Sequence, residues 1–184
     1  MFIQTETTPN PETLKFIPGE EVMGEMPTMY FKDKGDLHRS PLAQQLFNLD
    51  NVVGVYLGSD FLTVTLKDAK WENSKTEILA NIMNFFVSGE PIFIDDGFDD
   101  SNDNREGNKD EISLKIIDII ETKVRPAVAQ DGGDIIFESY KDGIVYLNMR
   151  GSCDGCPSSE ITLKNGIENL LKHYVPEVKG VVPI

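Results

Sequence analysis

Cys153 and Cys156 are the only thiols in this 184-residue chain, and they stand two residues apart in Gly151-Ser152-Cys153-Asp154-Gly155-Cys156-Pro157-Ser158-Ser159. Two intervening residues let both sulfurs point at one soft metal centre, the usual chelating spacing. Gly155 relieves the backbone of so tight a loop. Pro157 and Ser158 read as the start of a helix, which turns the positive end of its dipole toward the thiols. That field favours the thiolate, the form that binds metal, and offsets part of the charge of a thiolate-bound cluster.

Two thiolates do not complete a site, because zinc, [2Fe–2S] and [4Fe–4S] centres all typically take four protein ligands. His38 and His173 are the only histidines. Neither has ligand spacing to the cysteines, and His173 reads as a surface or capping residue near a helix end. A symmetric dimer with two cysteines from each chain is the simplest completion. Such a site lies at an interface, open on its edges, and suits forming and releasing a cluster. By itself, however, a C-x-x-C leaves four readings open: a zinc half-site, a redox dithiol, an iron–sulfur site and incidental core cysteines. A dithiol oxidoreductase is the serious rival, since strand, C-x-x-C, helix also suits thioredoxin-like proteins. Against it, Gly151 and Ser152 bring no aromatic neighbour to Cys153, and the chain after Cys156 is too short for that fold. Asp134 and Asp154 read as turn-capping or loop-facing rather than catalytic. Lys164 and Lys172 read as the solvated face of a helix rather than a client-attracting patch.

The elements that must position this loop are predicted as follows. Asn108 and Glu111 can cap a helix whose apolar face is Ile112, Ile116, Ile119, Ile120 and Val124, with Pro126 near its end. Asp131-Gly132-Gly133-Asp134 is a turn. Strands Ile135 to Tyr140 and Ile144 to Met149 are joined through Lys141-Asp142-Gly143, a hairpin signal. Leu163, Ile167, Leu170, Leu171 and Tyr174 mark a second helix that Pro176 ends, and Val178 to Ile184 is a last strand. Helix, strand, strand, helix, strand is a small α+β domain, placed at 108–184.

Residues 1–94 form a second small α+β domain. Phe2 to Thr5 and Leu14 to Ile17 read as strands around the turn Thr8-Pro9-Asn10-Pro11. Ser40-Pro41 is an N-cap with proline at the first helical position. Val52 to Leu57 and Phe61 to Leu66 make a hairpin across Gly58-Ser59-Asp60. Ser74-Lys75-Thr76-Glu77 reads as a capping box leading into Ile78, Ile82 and Phe85, with Gly89-Glu90-Pro91 as the stop and Ile92 to Ile94 as a short strand. Nothing here groups acids, histidine or serine catalytically, and no enzyme is expected. Residues 95–107 read as a linker. The acidic stretch they open, 95–111, holds eight acids and two bases, a net charge of 2 − 8 = −6. Such a segment self-repels and stays extended.

Composition narrows the function. The chain is 40% hydrophobic and 26% charged, which is globular composition. Its formal net charge of −14 disfavours nucleic acid, since phosphate binding needs a basic face. No apolar run approaches the roughly 18 residues of a membrane span. Residues 1–25 carry one basic residue, Lys15, against Glu6, Glu12, Glu20, Glu21 and Glu25, the wrong balance for a secretory signal or a mitochondrial presequence. The expected location is a bacterial cytoplasm, or a mitochondrial matrix after loss of a presequence.

The stretch from Gly151 to Leu171, GSCDGCPSSEITLKNGIENLL, resembles the NifU-like C-terminal domain of the Nfu family. Val124 to Asp134, VRPAVAQDGGD, resembles that domain's other hallmark, and Thr8 to Gly19, TPNPETLKFIPG, is similar to the Nfu N-terminal domain. The resemblance implies an iron–sulfur scaffold or carrier. It implies a [4Fe–4S] cluster (or a [2Fe–2S] one) between two copies of the chain, held through Cys153 and Cys156. It also implies delivery to apo iron–sulfur client proteins after receipt from an upstream assembly scaffold, with the N-terminal domain helping to recognise partners.

Overall fold

The structure, a computed structural model, describes residues 2–32, 36–94, 110–155 and 157–184, of which 157–160 are described by their backbone alone. The expected linker at 95–107 lies outside the described residues. The chain divides into two compact α+β units, Met1–Asp96 and Gly97–Ile184.

In the first unit, five antiparallel strands are ordered β1-β2-β5-β4-β3: β1 Gln4–Thr7, β2 Thr13–Ile17, β3 Met29–Phe31, β4 Val52–Leu57 and β5 Leu62–Leu66. Helices α1, Pro41–Phe47, and α2, Trp71–Ser88, share one buried cluster with the sheet, in which Phe16, Val55, Leu57, Leu62 and Val64 meet Leu42, Leu46, Ile78, Ile82 and Phe85. Removing each of these side chains from water is worth about 1.5–3 kcal/mol. Ser40 caps α1 as expected, its hydroxyl accepting the Ala43 N–H at 3.2 Å, with Pro41 following. The β4–β5 hairpin closes through Gly58 N–H to Phe61 O at 2.8 Å.

Three expectations for this unit are corrected. Helix α2 begins at Trp71 with no side-chain cap, one turn ahead of the capping box predicted at Ser74–Glu77. The Trp71 indole N–H donates to Pro11 O at 3.0 Å and its ring packs 6.3 Å from that of Phe16. That anchor makes the extra turn worth forming. Ile92 to Ile94 forms no strand; Ile94 N–H bonds Arg39 O at 2.8 Å, and Ile92 and Phe93 pack against the core. The edge strand β3 was not anticipated, being three residues long and preceded by Pro27.

The second unit follows the expected order. Helix α3, Glu111–Ile119, runs into a π turn, Ile120–Val124, and then α4, Arg125–Gln130; β6 Gly133–Lys141, β7 Ile144–Gly151, α5 Pro157–Tyr174 and β8 Gly180–Pro183 complete it. The sheet order is β6-β7-β8, antiparallel between β6 and β7 and parallel between β7 and β8. The β6–β7 turn is the two-residue Asp142-Gly143, both at positive φ, as a tight hairpin following the sheet's twist requires. Ile116, Ile120, Ile135, Val145, Leu147, Ile167, Leu171 and Val181 form the core.

Two corrections apply here. The cap of α3 is Asp110, whose carboxylate accepts the Ser113 N–H at 2.8 Å. Glu111 is instead the first helical residue and pairs with Lys115, while Asn108 lies outside the described residues. Pro126 lies near the end of this helical run, as expected, but a π turn interrupts the run ahead of it. Arg125 N–H donates five residues back to Ile120 O. This widened turn places Pro126 at the head of a new helical segment, where its missing N–H costs nothing.

Candidate functional site: the cysteine loop

The Cys153 loop leaves β7 at Gly151, the residue paired with Gly133 at the start of β6, and α5 begins at Pro157, as predicted. Cys153 is only 4% exposed and belongs to the core cluster of its unit. Its sulfur rests on Gly133, where a Cβ would lie 2.2 Å from Sγ and 3.2 Å from the Arg150 carbonyl oxygen. Only a glycine admits that approach, which explains one of the two glycines in Asp131-Gly132-Gly133-Asp134. Gly155 has φ +74°, a left-handed conformation that glycine adopts without strain, in keeping with its expected relief of the tight loop. Cys156 lies outside the described residues.

The loop is tied to the turn before β6. Ser152, 2% exposed, donates its hydroxyl to Asp131 O at 2.6 Å and its N–H to Gly132 O at 3.2 Å. Asp154 N–H bonds Gly151 O at 3.2 Å. Residues 131–133 and 151–153, distant in sequence, thus form one clamp around the Cys153 sulfur.

Asp134, 3% exposed, is the next residue along β6. Its carboxylate receives a two-pronged contact from Arg125, Nε to Oδ1 at 2.8 Å and Nη2 to Oδ2 at 2.9 Å, and Oδ1 also accepts the Ile135 N–H at 2.8 Å. A third arginine nitrogen, Nη1, donates to Glu121 Oε2 at 2.7 Å. The Asp134 hydrogen bond, against the cost of burial, raises the Arg125 guanidinium above its already high pKa, so it stays charged. Asp134 is therefore a structural ion-pair partner rather than the turn cap expected. No local pattern announces Arg125: it lies nine positions from Asp134, and the only hint is its place in the Val124–Asp134 motif.

The remaining candidates lie elsewhere. His173 sits in the last turn of α5 with its ring 4.9 Å from that of Tyr174, and His38 lies in a short 3-10 turn of the first unit. Lys172 pairs with Glu168, as a solvated helix face would. Tyr174, placed on the apolar face by its spacing, is 50% exposed, with Lys123 Nζ 5.2 Å from its ring. Among the described residues, no three His, Cys, Asp or Glu side chains gather as a metal site, and no helix is long and apolar enough to cross a membrane.

Two α+β units, the second with a cysteine loop clamped between a strand end and a helix start, define the class. Residues 3–89 match the family described as scaffold protein Nfu/NifU N terminal, and residues 116–182 match the NifU-like domain. The human mitochondrial NFU1 iron-sulfur cluster scaffold homolog is 48% identical over 183 residues, covering 98% of this chain and 71% of its own length. The Drosophila sechellia protein of the same name is 46% identical over 182 residues, and this chain spans 64% of its length. A solution structure of a NifU-like protein from Saccharomyces cerevisiae aligns at 29% identity with a TM-score of 0.46, covering 50% of this chain and 84% of that one. The chain belongs to the Nfu family.

Proposed function

We propose that this chain is an iron–sulfur scaffold and carrier. It holds a [4Fe–4S] cluster as cargo between two copies, through Cys153 and Cys156 of each, and yields it to apo client proteins after receiving it from an upstream assembly scaffold. The observation that carries this reading is the clamp on Cys153: two separated glycine-rich turns converge on one sulfur in a chain with a single C-x-x-C. A chain offering two thiolates needs a second chain to reach four ligands. The names of the relatives, iron-sulfur cluster scaffold homologs, support the same role.

The division of labour follows the expected domains. Residues 108–184 carry the cargo, 1–94 contribute to partner recognition, and 95–107 join them. Delivery exchanges one set of thiolate ligands for another, so no catalytic residue is assigned. The relatives named are mitochondrial, which supports a matrix location. Both that compartment and a bacterial cytoplasm keep Cys153 and Cys156 reduced.

The test is anaerobic reconstitution of the full chain with iron and sulfide, followed by metal and sulfide analysis and solution mass. A dimer with about two iron and two sulfide per chain is expected for one shared four-iron cluster. About one iron per chain would replace it with a bridging [2Fe–2S] centre. No iron, with the thiols cycling to a disulfide, would overturn the carrier reading in favour of a dithiol oxidoreductase. Zinc without sulfide would mean a structural dimer. Cys153→Ala and Cys156→Ala should each abolish uptake while leaving the chain folded.

A further inference from the structure

We infer that Arg125 is a positioning residue for Cys153: through Asp134 it locks the start of β6, the backbone against which the Cys153 sulfur rests. The inference builds on the proposed function but stands on separate geometry. Asp134 directly follows Gly133 in β6, and Gly133 is the residue touching Sγ. The Arg125 fork and the Ile135 N–H hold the Asp134 carboxylate. Arg125 is held in turn by Glu121 and by its place at the end of the π turn.

That π turn aims the arginine. Continuing α3 as a regular helix would bring Arg125 round by about 100° per residue from its predecessors, and the widened turn changes the face on which it emerges. Pro126 has no N–H to give back to the preceding turn, so regular helix restarts there as α4 instead of continuing α3 unbroken. The same segment still buries Ile120, Val124 and Val128 in the core. The chain thus keeps its apolar face and swings one charged side chain onto the start of β6.

The ion pair is poorly explained by stability alone. A buried charge pair contributes little net stability compared with apolar residues of similar volume, because desolvation offsets the attraction. A two-pronged arginine–carboxylate contact does supply direction, which a lysine cannot reproduce. Direction is what the sulfur of a shared site needs.

The test reads Cys153 directly, without any cluster. In the full chain carrying Cys156→Ser, Cys153 is alkylated with iodoacetamide and the rate followed by mass. Arg125→Lys, which keeps the charge but loses the fork, should raise the rate about tenfold, and Arg125→Gln at least as much, as the local clamp opens. Val181→Ala, a core change elsewhere in the same unit, is the control for general destabilisation. Equal rates in Arg125→Lys and the parent overturn the inference. So does an equal rise in Val181→Ala at matched urea stability, which would make Arg125 merely structural. With both cysteines present, Arg125→Lys should also lose reconstituted iron to a chelator faster than the parent. If the parent takes up no iron, the carrier reading fails, and the alkylation rates still decide the role of Arg125.

Discussion

Gly133 and Cys153, twenty residues apart, are in such close contact that a Cβ on Gly133 would stand 2.2 Å from the cysteine sulfur. Because β6 is held by its ladder to β7, the yielding partner is the cysteine loop. Gly133→Ala should therefore leave a folded chain, destabilised by about 1–3 kcal/mol through overpacking, that retains much less iron after reconstitution. Urea unfolding and iron per chain are the measurements. Parent stability with full iron would show that the contact is not binding.

Ser152 ties the loop to the turn at Asp131 through a hydroxyl bond of 2.6 Å in a site only 2% exposed. Ser152→Ala should cost about 0.5–1.5 kcal/mol, the usual net worth of a neutral hydrogen bond. Amide exchange should speed up in 151–155 more than in the rest of the unit. Uniform exchange across β6, β7 and the loop would mean that the bond does not hold the clamp.

Glu168 links α5 to β8, accepting a hydrogen bond from Lys172 and the Val181 N–H at 3.1 Å. Those contacts, Lys172 first, hold its carboxyl below the ordinary glutamate value. A carboxylate depressed in the native state means that the unfolded chain binds more protons through that range. Its contribution is present above the ordinary value and is lost as pH falls through and below it. Glu168→Gln should flatten the fall in urea midpoint between about pH 7 and about pH 3.5. It should do so only in part, because Asp110 and Glu111 are lowered too and titrate in the same direction. An unaltered pH profile would remove Glu168 from the account.

Ser40 is fully buried and caps α1 in the first unit. Ser40→Ala should destabilise that unit by about 1 kcal/mol. Iron uptake by the second unit should be unchanged, as measured by thermal unfolding alongside reconstitution. A matching loss of iron would show that the two units depend on each other for cargo binding.

Much of this molecule was legible along the chain because its causes are local. The β4–β5 hairpin, the Ser40 cap, the Asp142-Gly143 turn and the start of α5 at Pro157 each depend on residues within a few positions of one another. The cysteine spacing alone left zinc, redox, iron–sulfur and core readings open, and the longer motifs around it pointed to iron–sulfur chemistry. What tertiary structure decided depends on partners far apart in sequence. Helix α2 starts at Trp71 because Pro11 and Phe16 anchor the indole, overriding the local capping pattern at Ser74. The first helix of the second unit passes through a π turn ahead of Pro126, and Arg125 emerges facing Asp134. The Cys153 sulfur is seated by Gly133, and its loop is bonded to Asp131 and Gly132 across two strands. Sequence carries the period and the punctuation of each element. Which side chains then meet, and at what distance, is set by the packing of elements that no short window contains.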